Sequence, residues 1–494
     1  MAQEKVLRVG AQTTDIVTLD PHRTSTTQEV GPISWMFGGL VRFVPGSASP
    51  DKIEADLAES WQRSPDGRVW TFKLRKGVQF HRGYGEATAD DVVYSLNRAA
   101  DPKRSSFSSS FAQFQKVEAL GPQTVRITLS APVPSLLGIV ANYHGGMIVS
   151  RKADQELGDA FKLKPVGFGP FEFVEHQTQR ELVMKAFEGY YLGKPKISRI
   201  VYKFIPSDSS RELAFASGEL DMMIGKREQR WVDRMRQIPG AKVDVFGPGE
   251  FRTVFLNQRI KPLDNHRVRE AISRAIDVGQ LVKFIGAEVT TPGSSPVPPG
   301  YLGEADVPPK YAHDVARAKA LLAEAGYGQG LTIKAVVSNN DAIQPVMEVI
   351  QNQLKQAGIN LVMDVVDHTT YHAQIRQDIS ALVFYGAARF PVADSYLSEF
   401  YHSSAEIGAP KQVTNFSHCK VADAEIDAAR SEPSPEKQLA LWKTAQQKIQ
   451  MEICSVPLFA LKQVYVRRNT LDYGYPLEGA MNLNPLITER SSLK

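Results

Sequence analysis

The apolar run Ala381-Leu-Val-Phe-Tyr385 leads directly into Gly386-Ala-Ala-Arg-Phe-Pro391. Such a run predicts a buried strand. Small residues at its carboxyl end let the backbone lie flat where open α/β sheets take ligands. Arg389 then stands at the lip of a crevice, with Tyr385 before it and Asp394 and Tyr396 after it. The plainer alternative is a surface arginine on an ordinary loop.

Catalytic spacings are otherwise missing. Neither the phosphate-cradling G-x-x-x-x-G-K-S/T nor the G-x-S-x-G elbow occurs. Gly167-Phe-Gly-Pro-Phe-Glu172 begins like a dinucleotide fingerprint, but Glu172 occupies the third glycine position and Pro170 removes a backbone N–H. His368 and His372 are four apart, yet Thr-Thr-Tyr between them lacks the glutamate of a metalloprotease. That segment reads as a polar helix start at Asp367. With 54 acidic residues, spacing alone selects no acid/base pair. Neither a metal shell nor a cofactor motif is present. Cys419 and Cys454 are too few for a disulfide scaffold and lack Cys-x-x-Cys spacing. They are two buried thiols or, in an oxidising compartment, one disulfide.

The elements that must position these residues are partly legible. Val6, Leu7 and Val9 open a strand. Trp70-Thr-Phe-Lys-Leu-Arg75 alternates apolar and polar side chains, the pattern of a half-buried strand. Ser64-Pro-Asp-Gly67 ahead of it makes a hairpin turn. Thr88 with Asp91 predicts a helix start. Val268, Ala271, Ile272, Ala275 and Ile276 share a helix face. So do Val315, Ala318, Leu322 and Ala325, with Gly326 at the C′ position. A strand at 331–337, a helix over 345–357 closed by Gly358 and a strand at 359–366 form a β-α-β unit, so an α/β domain covers roughly 260–400. The first 250 residues hold more hairpins and fewer crossover helices. Thr291-Pro-Gly-Ser-Ser-Pro-Val-Pro-Pro-Gly300 reads as a turn-rich surface loop.

Composition sets the outer bounds. A chain of 494 residues predicts two or three domains. Its 43% apolar and 23% charged residues are ordinary globular values. A net charge of +4 shows no nucleic-acid-binding character. No stretch approaches a membrane span. The first residues lack a signal peptide, and Ala-Gln-Glu after Met1 suits either a cytosolic start or a mature start left by signal cleavage.

The segment Leu57-Ala-Glu-Ser-Trp61, Ser64-Pro-Asp-Gly67, Trp70 through Gly83 and Thr88-Ala-Asp-Asp-Val-Val-Tyr-Ser-Leu-Asn-Arg98 resembles the signature of the extracellular solute-binding protein family 5. These are the oligopeptide-, dipeptide- and nickel-binding proteins of ABC importers. Gly167–Phe173, Phe187-Glu-Gly-Tyr-Tyr191, Ala216-Ser-Gly-Glu-Leu-Asp221, Phe255-Leu-Asn257 and Gln351–Ile359 follow in the family's order, so the resemblance spans essentially the whole chain.

The resemblance implies an α/β, two-lobed periplasmic-binding-protein fold (type II, cluster C). Lobe I would comprise 1–45, 166–254 and 466–494, with an extra subdomain at 46–165; lobe II would span 255–465. Hinge crossings are expected near 251–257 and 461–465. A ligand held between the lobes would favour the closed form that an inner-membrane ABC permease complex recognises. No bond is made, and a monomer that binds no nucleic acid is expected. The location would be the periplasm after loss of a signal peptide, which favours a Cys419–Cys454 disulfide. Two other readings stand beside this one: a cleft hydrolase, or a binding protein or peptide chaperone signalling to a receptor.

The family's peptide binders carry an acidic residue after the strand matching Ala381–Tyr385, where it meets the peptide α-ammonium. Here Arg389 takes that place. A guanidinium cannot accept from an ammonium, whereas it suits a carboxylate. An anionic ligand group facing Arg389 is therefore expected. Tyr385, Asp394, Thr14 (with Thr13), Asp15, Phe251, Arg252, Asn482 and Asn484 complete the candidate binding residues, the two asparagines on a returning C-terminal strand. A nickel shell is absent.

Overall fold

A computed structural model describes residues 4–24, 26–143, 145–408 and 414–494. The Ala-Gln pair read as part of a mature start lies outside the described residues. The chain forms two compact units. The first is Met1–Pro248 with Gln463–Lys494, and the second is Gly249–Lys462. The chain enters the second within the strand Ala241–Leu256 and leaves it within Ser455–Arg468. Within the second unit, Phe251–Leu256 run antiparallel to the strand Leu382–Ala387, with Phe251 opposite Ala387 and Leu256 opposite Leu382. Packing at this entry is tight, because a Cβ on Gly249 would overlap the backbone of Leu461 and Lys462.

In unit one the strand Val6–Ala11 lies parallel to both Arg199–Phe204 and Met222–Ile224. Strands Glu181–Ala186 and Phe171–Gln177 extend the sheet antiparallel on one side, and residues 465–467 pair with Met222–Ile224 on the other. A second sheet, within the stretch expected as an extra subdomain, joins Ala58–Arg63, Val69–Leu74, Thr124–Leu129 and Phe114–Gly121. Its hairpin turns at Ser64–Gly67, where Gly67 N–H donates to Ser64 O at 2.9 Å. Trp70, Phe72 and Leu74 are buried, as alternation requires. The helix Ala89–Ala100 opens with a capping box in which Thr88 N–H donates to Asp91 Oδ2 at 3.0 Å. Leu7, Phe72 and Leu96 belong to one continuous core, so this stretch has no separate interior.

Unit two contains the β-α-β succession. Leu331–Ser338 and Ile359–Val366 pair parallel, joined by the helix Gln344–Gln356, whose Val346, Ile350 and Leu354 are buried. Gly326 and Gly358 end helices at φ +89° and +88°, the left-handed conformation that glycine adopts without a Cβ penalty. The segment 291–300 corrects the sequence reading. Ser295 and Val297 are fully buried, and Ser295 Oγ donates to Gln446 Oε1 at 2.7 Å from the helix Pro435–Glu452. Turn composition describes the backbone of this segment, but a partner more than a hundred residues away decides its burial.

Cys419 and Cys454 lie just outside the helices of this unit and are joined as a disulfide, with Cα atoms 5.8 Å apart. The bond closes a loop of 35 residues. Loop-closure entropy sets its contribution at about 4 kcal/mol. Cys454→Ala is therefore expected to lower the unfolding free energy of unit two by a matching amount, read as a lower urea midpoint, and a midpoint equal to that of the oxidised wild type would contradict this.

Candidate functional site

The strand Leu382–Ala387 presents its carboxyl end to a cluster of polar and aromatic side chains. Arg252, on the neighbouring strand, crosses this end. Its guanidinium lies 5.8 Å from the Phe384 ring centroid and pairs with Glu250. Gly386, opposite Arg252 in register, makes that crossing possible, since a Cβ there would fall on the guanidinium carbon and Nη1. The small residues read as letting the backbone lie flat thus make room for a second arginine. Arg252 is 5% exposed. Glu250 escaped the sequence reading, although it sits two residues from Arg252 on the same face of one strand.

Arg389 follows the strand and is one-quarter exposed along its side chain. Nε donates to Glu399 Oε2 at 2.6 Å and Nη1 donates to Ala388 O at 3.0 Å. Its guanidinium lies 5.7 Å from the Phe400 centroid. Burial opposes its charge, and the Glu399 carboxylate outweighs that effect, so its pKa is raised. Tyr301 OH donates to Arg389 O at 2.8 Å, which fixes the loop backbone as well. Tyr385 packs on Phe400 with centroids 6.0 Å apart, and Phe251 meets Tyr396 at 5.9 Å. Tyr396 in turn contacts Phe400 and donates to Ala387 O. Phe251, Tyr385 and Arg389 are therefore joined through one aromatic cluster. Glu399 and Phe400 were not singled out in the sequence; the helical spacing after Asp394 places them but does not say that they face Arg389.

Asp394 does not join that cluster. It sits in the first turn of the helix Ala393–Phe400, and its Oδ1 accepts from Arg430 Nε and Ser398 Oγ, each at 3.1 Å. An acidic residue there is stabilised by the helix N-terminus, which accounts for its position without a ligand. His368 and His372 lie on the short helix His368–Gln374, capped by Asp367 as expected. Their Nε2 atoms are 3.2 Å apart, and Ser338 Oγ lies 3.0 Å from His368 Nδ1. Burial, then the neighbouring His368, Arg376 and Arg252, pushes His372 down to about 4, so it is neutral at pH 7. Among the described residues no group of three or more His, Cys, Asp or Glu is placed to hold a metal ion.

The remaining candidates belong to unit one. Thr14 is exposed, and Thr13 Oγ1 donates to Asp15 O at 2.6 Å. Asp15 Oδ1 holds Ile16 N–H at 2.8 Å and lies 2.6 Å from His176 Nε2. This first-strand loop is thus braced by its own side chains and by His176. Asn482 and Asn484 are not on a strand. They flank Leu483, which takes φ +60° in a turn closed by Leu483 N–H to Ala480 O at 3.1 Å. A hydrogen-bonded turn leaves this segment no ladder to join. A pocket lined by Gln12, Gln28, Gly31, Trp35, Tyr202 and Asn484, with Gly10, Ala11 and Ile224, lies at the carboxyl ends of the parallel strands of this sheet.

Two α/β units linked by two passages of chain, with polar and aromatic side chains gathered at strand ends, define a solute-binding protein. The chain belongs to the bacterial extracellular solute-binding proteins, family 5, whose profile matches residues 52–407. It is similar to the glutathione-binding protein GsiB of Escherichia coli O1:K1, with 30% identity over 501 residues, 97% of this chain and 94% of that one. Among solved structures it is similar to the PBP/SBP MoaA of A. tumefaciens R10 in complex with mannopinic acid. That match has 45% identity and a TM-score of 0.91 over 100% of both chains. The periplasmic binding protein DppA of Helicobacter pylori, in complex with the peptide STSA, shares 26% identity at a TM-score of 0.84, over 99% of this chain and 98% of that one. The fold is the type II periplasmic-binding-protein fold, and the protein is the substrate-binding component of an ABC importer, working with a permease. No helix among the described residues is long and apolar enough to cross a membrane.

Proposed function

We propose that this protein captures a carboxylate-bearing organic solute, of the kind represented by mannopinic acid in the similar A. tumefaciens protein, and passes it on without making or breaking a bond. The observation that carries this reading is Arg389. Its Nε is engaged by Glu399 and its Nη1 by a backbone carbonyl, which orients the guanidinium at the strand end while a quarter of the side chain remains in contact with solvent. An oriented guanidinium recognises a carboxylate with little further loss of rotamer freedom. The guanidinium itself offers no acceptor to an α-ammonium. The protein acts as a monomer that binds no nucleic acid. Its periplasmic location is supported by its family and by the Cys419–Cys454 disulfide, a bond that persists in oxidising compartments.

Calorimetric titration with mannopinic acid, glutathione and the peptide Ser-Thr-Ser-Ala, each against wild type and Arg389→Ala, tests the reading. Loss of a charge-assisted hydrogen bond is expected to weaken binding of the preferred acid about tenfold or more. Equal affinity of the variant for that acid would remove Arg389 from the site and the carboxylate reading with it.

A further inference from the structure

Arg389 stands on residues 388–392, between the strand Leu382–Ala387 and the helix Ala393–Phe400. One neighbouring segment holds this backbone through three hydrogen bonds. Tyr301 OH donates to Arg389 O at 2.8 Å, Leu302 N–H donates to Pro391 O at 2.9 Å, and Ala393 N–H donates to Leu302 O at 2.8 Å. That segment, 295–305, takes neither helix nor strand apart from the single bridge of Leu302 to Val392. Its two feet meet at one side chain, the fully buried Gln446 of the helix Pro435–Glu452. Ser295 Oγ and Ala305 N–H donate to Gln446 Oε1 at 2.7 and 3.1 Å. Gln446 Nε2 donates to Gly303 O at 2.7 Å and to Trp442 O at 3.0 Å. A backbone N–H only donates and a carbonyl only accepts, so the amide has one orientation, and all four of its hydrogen-bonding positions are filled.

A segment without a ladder of its own keeps one conformation only where other groups tie it down. Gln446 joins 295 to 303–305, and Tyr301 and Leu302 lie between those ties. Gly303 permits the close approach: it takes φ +86°, and a Cβ there would fall 2.6 Å from Trp442 Cε3. We infer that Gln446 is a positioning residue for solute capture, because by closing 295–305 it holds Tyr301 and Leu302 against the backbone that carries Arg389. Glu399 aims the guanidinium, and Gln446, acting through this strap, sets the point from which it reaches. Hydrogen bonds to a carboxylate weaken beyond about 3.2 Å, so a displacement of about 1 Å at Arg389 is felt in affinity. This rests on the carboxylate reading proposed above.

The test is a double-mutant cycle in calorimetric titration, with whichever of mannopinic acid and glutathione the wild type binds more tightly. Tyr301→Phe deletes one hydroxyl and keeps the ring packed on Tyr396. Gln446→Met keeps the side-chain length and deletes the amide. Each is made alone and together with Arg389→Ala, and urea unfolding is followed for all. Binding is expected to weaken about fivefold in Tyr301→Phe and about tenfold in Gln446→Met, with no further loss once Arg389 is alanine. Where Gln446→Met fails to fold, Ser295→Ala, which removes one of the four bonds, takes its place with a loss of about threefold. A purely structural role would lower the urea midpoint and weaken binding equally with and without Arg389. Losses undiminished in Arg389→Ala, or wild-type affinity in the strap variants, overturn the inference and leave the carboxylate reading standing. Unchanged binding by Arg389→Ala, or binding of neither acid by wild type, removes that reading and this inference together.

Discussion

Replacing Arg98 with alanine is expected to lower the stability of unit one by about 3–5 kcal/mol. Arg98 is buried, with 3% of its side chain exposed. From the helix Ala89–Ala100 it reaches two carboxylates at once. Nη1 donates to Asp20 Oδ1 at 2.9 Å and Nη2 donates to Asp20 Oδ2 at 2.5 Å, while Nε lies 3.2 Å from Asp154 Oδ2. Asp20 also accepts His22 N–H at 3.0 Å, and Asp154 accepts from Arg104 at 2.6 Å. Truncation leaves Asp20 as a buried charge with no cation in bonding reach, among the described residues, except the longer 3.8 Å contact to Arg23. The loss thus comes less from the bond removed than from the carboxylate stranded. Urea unfolding should show the fall in midpoint. The double variant Arg98→Met with Asp20→Asn, which removes both charges, should recover a large part of it. A single-variant loss below about 1 kcal/mol would mean that solvent reaches this cluster and screens it.

The second large effect is a fall in stability on acidification, carried by His22 and His81. Both are fully buried, and both are pushed down to about 4. For His22 the main cause is burial, reinforced by the positive charge of Arg98 and opposed by Asp20. For His81 it is burial again, opposed by the hydrogen bond to Gly169 O. Each ring is neutral in the folded chain and takes up a proton near pH 6.5 once unfolded. The unfolded state then binds more protons, so stability is complete above pH 6.5 and declines as the pH falls from there towards 4. Between pH 7.5 and pH 5 the expected loss is about 2 kcal/mol per histidine. Asp56, whose carboxyl is pushed up by burial, contributes with the opposite sign. The slope must therefore be assigned with variants. His22→Gln and His81→Gln should each flatten it, and a slope identical to wild type in both would show that these rings titrate normally in the folded protein.

The limits of sequence reading are clearest where a polar group finds its partner. Thr88 with Asp91, Ser64 with Gly67, and Gly326 and Gly358 at helix ends were legible because each acts on residues within four positions. The β-α-β periodicity over 331–366 was legible for the same reason: burial repeats with the geometry of the element itself. The ordered motifs from Leu57 to Arg98 carry the family, and hence the fold.

Partnership at long range was not legible. Arg389 was readable as a guanidinium after a strand, but its orientation depends on Glu399, on Tyr301 and on the ring of Phe400. By composition Gly386 predicts only local flatness; the neighbouring strand shows that it accommodates Arg252. Loop composition could not reveal that Gln446 buries Ser295, nor that Asn484 sits in a turn with its amide held by Ser34 and Pro485. By itself, then, the sequence determined the local elements, the succession of α/β segments and the class of protein. Tertiary structure alone decided which charges are neutralised and which loops are buried. The physical reason is range. Backbone conformation is set by neighbours a few residues away, whereas desolvation and hydrogen-bond pairing are set by whichever side chains the fold brings within about 3 Å.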